Sequence, residues 1–224
     1  EGVGPAEDAR LRRKLEAVAA WAQAGFGAEV HFFLMSLPSV RANDFGFSDS
    51  ESAGTAQALL LKEEFYRTAL RVAGKEPLWW LTPPGADRET WESYGLAASR
   101  SPLLVPGRVV DLGRLDAVPP EEFFGASLWQ IVKGLHSPYK SVMKLGLLEK
   151  YAGRDASGEL MLCDQIKDAV TRRSPAWQAD PYTVLFRNLR DYYRSLDDQE
   201  AVDLLTESFT LKAGIGSFDV SLGF

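Results

Sequence analysis

The sequence predicts an α+β chain, with an α/β half over residues 1–118 and an all-helical half over 119–224. Three observations carry this reading. Two short runs in the first half, EVHFFLM at 29–35 and RVVDL at 108–112, are rich in aromatic and β-branched residues and bounded by turn formers. The second half instead repeats apolar residues three and four apart, the spacing of amphipathic helices. Pro119 and Pro120 stand where one pattern gives way to the other.

Taken in order, residues 8–24 read as a helix, with Leu11, Leu15, Val18 and Ala22 on one face and Gly25 and Gly27 ending it. EVHFFLM is too short for a helix and reads as a strand. Residues 36–52 are polar and contain glycine, and their length suits a functional loop. A long helix is expected from Gly54 to Ala73, carrying Leu59, Leu60, Phe65, Ala69 and Val72 and stopped by Gly74. Residues 78–81 read as a short buried strand, broken by Thr82, Pro83, Pro84 and Gly85, and RVVDL as a further strand. Helices are expected near 120–135, 138–152, 159–172, 181–196 and 198–212, the fourth with Leu185, Leu189 and Tyr192 at helical spacing.

Composition narrows the chemistry. Cys163 is the sole cysteine, so an internal disulfide and a thiolate zinc cluster are both excluded. With only His31 and His136 as histidines, a metal would be held by oxygen ligands, which favours magnesium, calcium or manganese. A net charge of -6 and a pI of about 5.1 argue against wholesale nucleic-acid binding. No run approaches the roughly 18 apolar residues that a membrane span needs, and no signal-peptide pattern opens the chain. These features fit a soluble, cytoplasmic protein in a reducing compartment. The chain starts on Glu1 and closes on Leu222, Gly223 and Phe224, as a piece trimmed from a longer protein would.

The segment EFFGASLWQIVK at 122–133 resembles the class I adenylate cyclase pattern E-Y-F-G-[SA]-[SA]-L-W-x-L-Y-K. It departs at Phe123, Ile131 and Val132, where apolar bulk is kept and two phenol hydroxyls are lost. EVHFFLM at 29–35, LLLKEEFYRTALRVAGK at 59–75 and HSPYKSVMKLGLLEKY at 136–151 match the family as well, and the resemblance extends over most of residues 10–212. It implies conversion of ATP to cyclic AMP and pyrophosphate with Mg²⁺ or Mn²⁺. It also implies a partial nucleotidyltransferase fold, similar to DNA polymerase β, in the α/β half. That fold presents a Gly-Ser turn and an Asp-x-Asp pair before a third acid. Neither precedes EVHFFLM here, so the first two metal ligands are expected outside this chain and the chain alone is expected to be inactive. In the family a C-terminal region receives sugar-transport signals, which makes a sugar-transport regulator an implied partner.

The resemblance implies roles for particular residues. Glu29, an acid within an apolar segment, is the candidate catalytic residue and metal ligand; Asp111 in RVVDLG is its rival as third acid. A solvated acid at a strand start has the same sequence pattern as Glu29. His31, two residues on, projects from the same strand face and either orients Glu29 or packs as a hydrogen-bonded histidine. Lys140 and Lys144 share one helix face behind a Ser137 N-cap and Pro138, and two ammonium groups on adjacent turns suit a triphosphate. Arg67 and Arg71 form a second basic pair, and Gly54 and Thr55, following Ser52, open a helix whose amides suit an anion. Each of these basic or glycine features also has an ordinary reading, as a solvated face or a plain cap. Trp79 and Trp80 offer stacking surface for adenine, though adjacent tryptophans usually place one ring in the core. His136 reads as structural or exposed, and Met143, Leu147 and Tyr151 as packing. The rival functions are a transferase that adds nucleotides to RNA, which needs a basic groove, and a non-catalytic helical binding or regulatory module.

Overall fold

The computed structural model describes residues 5–32, 34–43, 54–102, 107–115, 121–153 and 159–214. The expected loop beyond Asn43, Ser52, Pro119, Pro120 and the tail from residue 215 lie outside these. Two compact units are present, residues 1–46 and 47–224. The first contains α1 (Pro5–Phe26) and the short α2 (Leu37–Arg41). Gly27 follows α1 with a φ of 62°, a left-handed conformation that glycine adopts without strain. Ser36 caps α2, its Oγ accepting from the Ser39 amide at 3.3 Å.

The expected strand at 29–35 does not form: its described residues have no regular secondary structure. High β-propensity makes a strand only where a neighbouring strand completes the ladder, and no pairing is found among the described residues of this unit.

The second unit is mostly helical, and of the strands expected in the α/β half over residues 1–118 only one small two-stranded sheet forms among the described residues. In order it contains α3 (Gly54–Thr68), β1 (Glu76–Pro77), a 3-10 turn (Leu78–Trp80), α4 (Arg88–Arg100) and β2 (Val109–Val110). Then come α5 (Glu122–Gly134), α6 (Pro138–Ala152), α7 (Leu162–Thr171), a 3-10 turn (Ala176–Gln178), α8 (Pro181–Ser195) and α9 (Gln199–Ala213). Helix α3 stops at Thr68, not at Ala73, because Leu70 and Val72 beyond it are almost fully exposed and a further turn would bury nothing. The expected strand at 78–81 is a 3-10 turn, and pairing falls just before it. β1 and β2 are parallel, with Glu76 opposite Val109 and Pro77 opposite Val110. A parallel pair needs a crossover, and α4 supplies it. Sequence reading passed over α4, although Asp87 caps it by accepting from the Thr90 amide at 2.8 Å and Glu89 sits in its first turn.

The helices from α5 onward fall within a few residues of expectation. α6 packs against α5, α8 and α9, while α3 packs against α5 and α7. Leu148, Leu162, Leu189 and Leu205 are buried among them, with Met143, Leu147 and Tyr151. Gly146 allows α8 to come close: a Cβ there would stand 3.1 Å from the Tyr193 hydroxyl.

A charged network runs through this core. Glu63, on α3, is fully buried and its Oε1 accepts from the Cys163 amide at 2.9 Å and from Arg67 Nε at 3.2 Å. Cys163 is the second residue of α7, so a carboxylate of α3 caps the start of α7. Burial pushes the Glu63 carboxyl up to about 7, against the opposing pull of Arg67 and the Cys163 amide. Because this folded value lies above the ordinary 4.5, the folded protein binds the extra proton. The resulting stability is complete below about pH 4.5 and is lost as pH rises through about 7. A shift of this size corresponds to at most roughly 3 kcal/mol. Melting curves of wild type and Glu63→Gln between these pH values check this. The wild-type melting temperature should fall relative to the variant as pH rises, whereas parallel profiles would mean that Glu63 does not titrate there.

Candidate functional site

Lys140 and Lys144 stand on α6 facing α3. Ser137 occupies the N-cap position of α6 and Pro138 its first turn, although no side-chain cap bond forms. Between α3, α6, α8 and the end of α9 lies a small groove with a volume of about 30 Å³. Leu60, Met143, Leu147 and Leu185 provide its apolar surface, and Arg67, Lys140, Lys144 and Lys212 its cations. Residues four apart share a helix face, which brings Leu60 and Glu64 together on α3 and Lys140 and Lys144 together on α6.

Glu64 is the acid within this cluster. Its Oε2 accepts from Lys144 Nζ at 2.9 Å, with both side chains partly exposed. Burial by itself would raise the Glu64 carboxyl, but Lys144, Lys140 and Arg67 outweigh it and hold the group below its ordinary value. Arg67 reaches the groove while remaining bound to Glu63, and its side chain is nearly buried. Sequence reading missed Glu64 and Lys212. Glu64 lies in a charged run that gives no hint of which acid turns inward, and Lys212 ends a helix remote in sequence from α6.

The other anticipated residues are not in this groove. Arg71 binds Glu76 Oε2 at 2.7 Å and the Gly74 carbonyl at 3.4 Å, and Arg108 meets the other oxygen of Glu76. These contacts tie the segment after α3 to the parallel strand pair. Gly54 and Thr55 form the first turn of α3, about 15 Å along its axis from Glu64. Trp79 is core, stacked on Tyr66 with 4.9 Å between ring centroids, while Trp80 is half-exposed. His136 is exposed.

Glu29 belongs to the first unit. It is exposed, and its Oε1 lies 2.9 Å from His31 Nε2, so the two side chains do share a side of the chain. Asp111 belongs to the second unit, where its Oδ1 accepts from the Gly113 amide at 2.8 Å and shapes the turn after β2. The Gly113 carbonyl in turn accepts from the Tyr66 hydroxyl at 2.6 Å. Among the described residues no three His, Cys, Asp or Glu side chains are grouped to hold a metal ion. The described acids therefore do not by themselves fit a two-metal centre. No helix of the described residues is long and apolar enough to cross a membrane.

Lys167 is a further perturbed group. Burial lowers its ammonium to about 8, where it donates to the Trp79 carbonyl and to Thr82 Oγ1 at 3.1 Å, over the Trp79 ring. It anchors α7 to the 3-10 turn and stands outside the groove.

Comparison with known proteins places the chain. The model for the adenylate cyclase NT domain matches residues 1–80, and the model for the class I adenylate cyclase second domain matches residues 118–221. The chain is 36% identical over 202 residues to adenylate cyclase of Salmonella typhimurium and to that of Escherichia coli K12, covering 90% of this chain and 24% of each relative. It is 35% identical over 206 residues to the Proteus mirabilis adenylate cyclase, covering 92% of this chain and 24% of that protein. No solved structure matches the chain. The chain belongs to the class I adenylate cyclase family, and it spans about a quarter of the length of the curated relatives it matches.

The Glu64–Lys144 pair is partly solvated, so its contribution to folding should be small. Lys144→Met should cost less than about 1 kcal/mol in stability. Chemical denaturation measures this, and a loss several times larger would make the pair a structural element of the α3–α6 contact.

Proposed function

We propose that the chain contributes part of the ATP-binding and catalytic apparatus of an adenylate cyclase, which forms 3′,5′-cyclic AMP and pyrophosphate from ATP. The observation that carries this reading is the convergence of Arg67, Lys140, Lys144 and Lys212 on one groove in an otherwise acidic protein. A triphosphate is recognised by clustered ammonium and guanidinium groups, and charge that grows on the phosphates in the reaction is stabilised by the same groups. The groove at about 30 Å³ holds little more than water, so side chains must move aside for a phosphate to enter. The membership in the family supports ATP as the substrate and a nucleotidyltransferase-like arrangement of the whole enzyme.

In this reading Glu29 joins a metal site whose other carboxylates come from outside this chain, and Asp111 is its rival. Mg²⁺ or Mn²⁺ bound there would lower the charge on the phosphates and activate the ribose hydroxyl. Arg71, Gly54 and Thr55 have lesser parts, since other contacts or the length of α3 separate them from the groove. A cytoplasmic location and control by a sugar-transport system belong to the same proposal for the full enzyme. An RNA-extending transferase is not favoured, because the cations form one local cluster within a net charge of -6.

Two experiments on the full-length enzyme test this. Lys140→Ala or Lys144→Ala should weaken ATP binding by about ten- to a hundred-fold, the cost of one charge-assisted phosphate contact. A double variant with wild-type kinetics would assign this face to solvent. Glu29→Gln should lower kcat by at least about a hundred-fold while melting normally. If turnover and melting are both unchanged, the metal role passes to Asp111 and Asp111→Asn becomes the deciding variant.

A further inference from the structure

We propose that Glu64 is an intramolecular stand-in for phosphate: its carboxylate holds Lys144 in the groove and yields that lysine to an anionic ligand that enters. The inference rests on reading the groove as a phosphate site and names the residue that tunes its affinity.

The geometry gives Glu64 the place of a ligand. Its Oε2 lies 2.9 Å from Lys144 Nζ, the distance of a charge-assisted bond to a phosphate oxygen. Arg67, Lys140 and Lys212 line the same groove. The Lys144 ammonium has three N–H donors, so the competition comes from charge: a carboxylate and a phosphate drawn to one ammonium repel each other, and both cannot approach it closely. The neighbouring acid, Glu63, is committed elsewhere, to Arg67 and to the amide at the start of α7. Glu64 has no such commitment to the core. It and Lys144 are both partly exposed on flexible stems, so parting them needs only side-chain rotation, which is fast. The bond they lose is of the weak, partly solvated kind.

Two consequences follow from charge alone. With the groove empty, Glu64 cancels part of the local positive charge and keeps the lysines from repelling one another. With a phosphate present, the displaced carboxylate remains nearby and opposes the ligand. Glu64 therefore acts as a positioning residue that preorganises Lys144 and sets an affinity below what the cations alone would give.

The test uses full-length enzyme and two probes, inorganic tripolyphosphate without metal, followed by calorimetry, and ATP, followed by steady-state kinetics. Glu64→Gln keeps the side-chain shape and removes the charge, and should bind tripolyphosphate about tenfold more tightly. KM for ATP should fall by more than kcat changes. Adding Lys144→Met to Glu64→Gln should abolish the gain. Glu64→Ala provides a second test of the same direction should the glutamine variant fold poorly. Unchanged or weaker tripolyphosphate binding in the Glu64 variants, with Lys140→Ala and Lys144→Ala still weakening it, would overturn this inference and leave the groove reading intact. Binding that none of these variants alters would overturn both.

Discussion

Glu63 is the residue on which the second unit's arrangement depends. An ionisable carboxyl at zero exposure is costly unless its oxygens are used. Here they accept from Arg67 on the same helix and from the amide at the start of α7. That contact also provides for an orphan donor of α7, whose N-cap residue, Met161, has no capping side chain. One carboxyl therefore fixes where α7 begins, which way it points and how α3 lies against it. Tyr151 of α6 adds a neighbouring bond, its hydroxyl accepting from the Leu162 amide at 3.2 Å. Three helices thus meet at the first turn of α7 through directional bonds, and the leucines around them supply the area.

This arrangement also explains the groove. Glu63 and Glu64 are adjacent on α3 and so point in different directions. Once Glu63 is committed to α7, Glu64 is turned toward α6, where Lys144 meets it. Arg67 lies one turn further along and is held by Glu63 while still lining the groove. A cation fixed by a buried acid has lost its freedom already, so ordering it against a ligand costs little more. Lys144 is held more loosely, by the partly exposed Glu64, while Lys140 and Lys212 are exposed. The groove thus joins one buried, fixed cation with one held by a partly solvated acid and two on exposed stems.

The sequence was most legible where local pattern and packing agree. Residues 138–152 were expected as a helix and α6 has those bounds, because Pro138 starts it and one apolar face continues to Tyr151. It was least legible where structure depends on a distant partner. EVHFFLM has the composition of a strand, but pairing is a property of two segments and no periodicity reveals the second. Trp79 and Trp80 suggested a strand for the same reason, and pairing formed instead at Glu76 and Pro77. Lys140 and Lys144 were found because helical spacing places them together. Glu64 and Lys212 were missed because their meeting with those lysines is tertiary, across 80 residues for Glu64 and Lys144. The α5 motif carried the family, while the cation cluster was formed by α3, α6 and α9.

That division of labour clarifies the three departures within the α5 motif. Phe123, Ala126 and Gln130 are its buried positions, and Gln130 donates to Gln57 of α3 at 3.3 Å. Ile131 and Val132 are exposed, so replacing the pattern's Leu and Tyr there removes no packing from the second unit and leaves no buried polar group unsatisfied. Phe123 is buried, and a phenol at that site would need a hydrogen-bond partner for its hydroxyl. Phenylalanine fills the core without that requirement. The polar position that α5 does retain in its core, Gln130, is the one with a partner on α3. At Gln130, as at Glu63, a buried polar group of this core is satisfied by another helix.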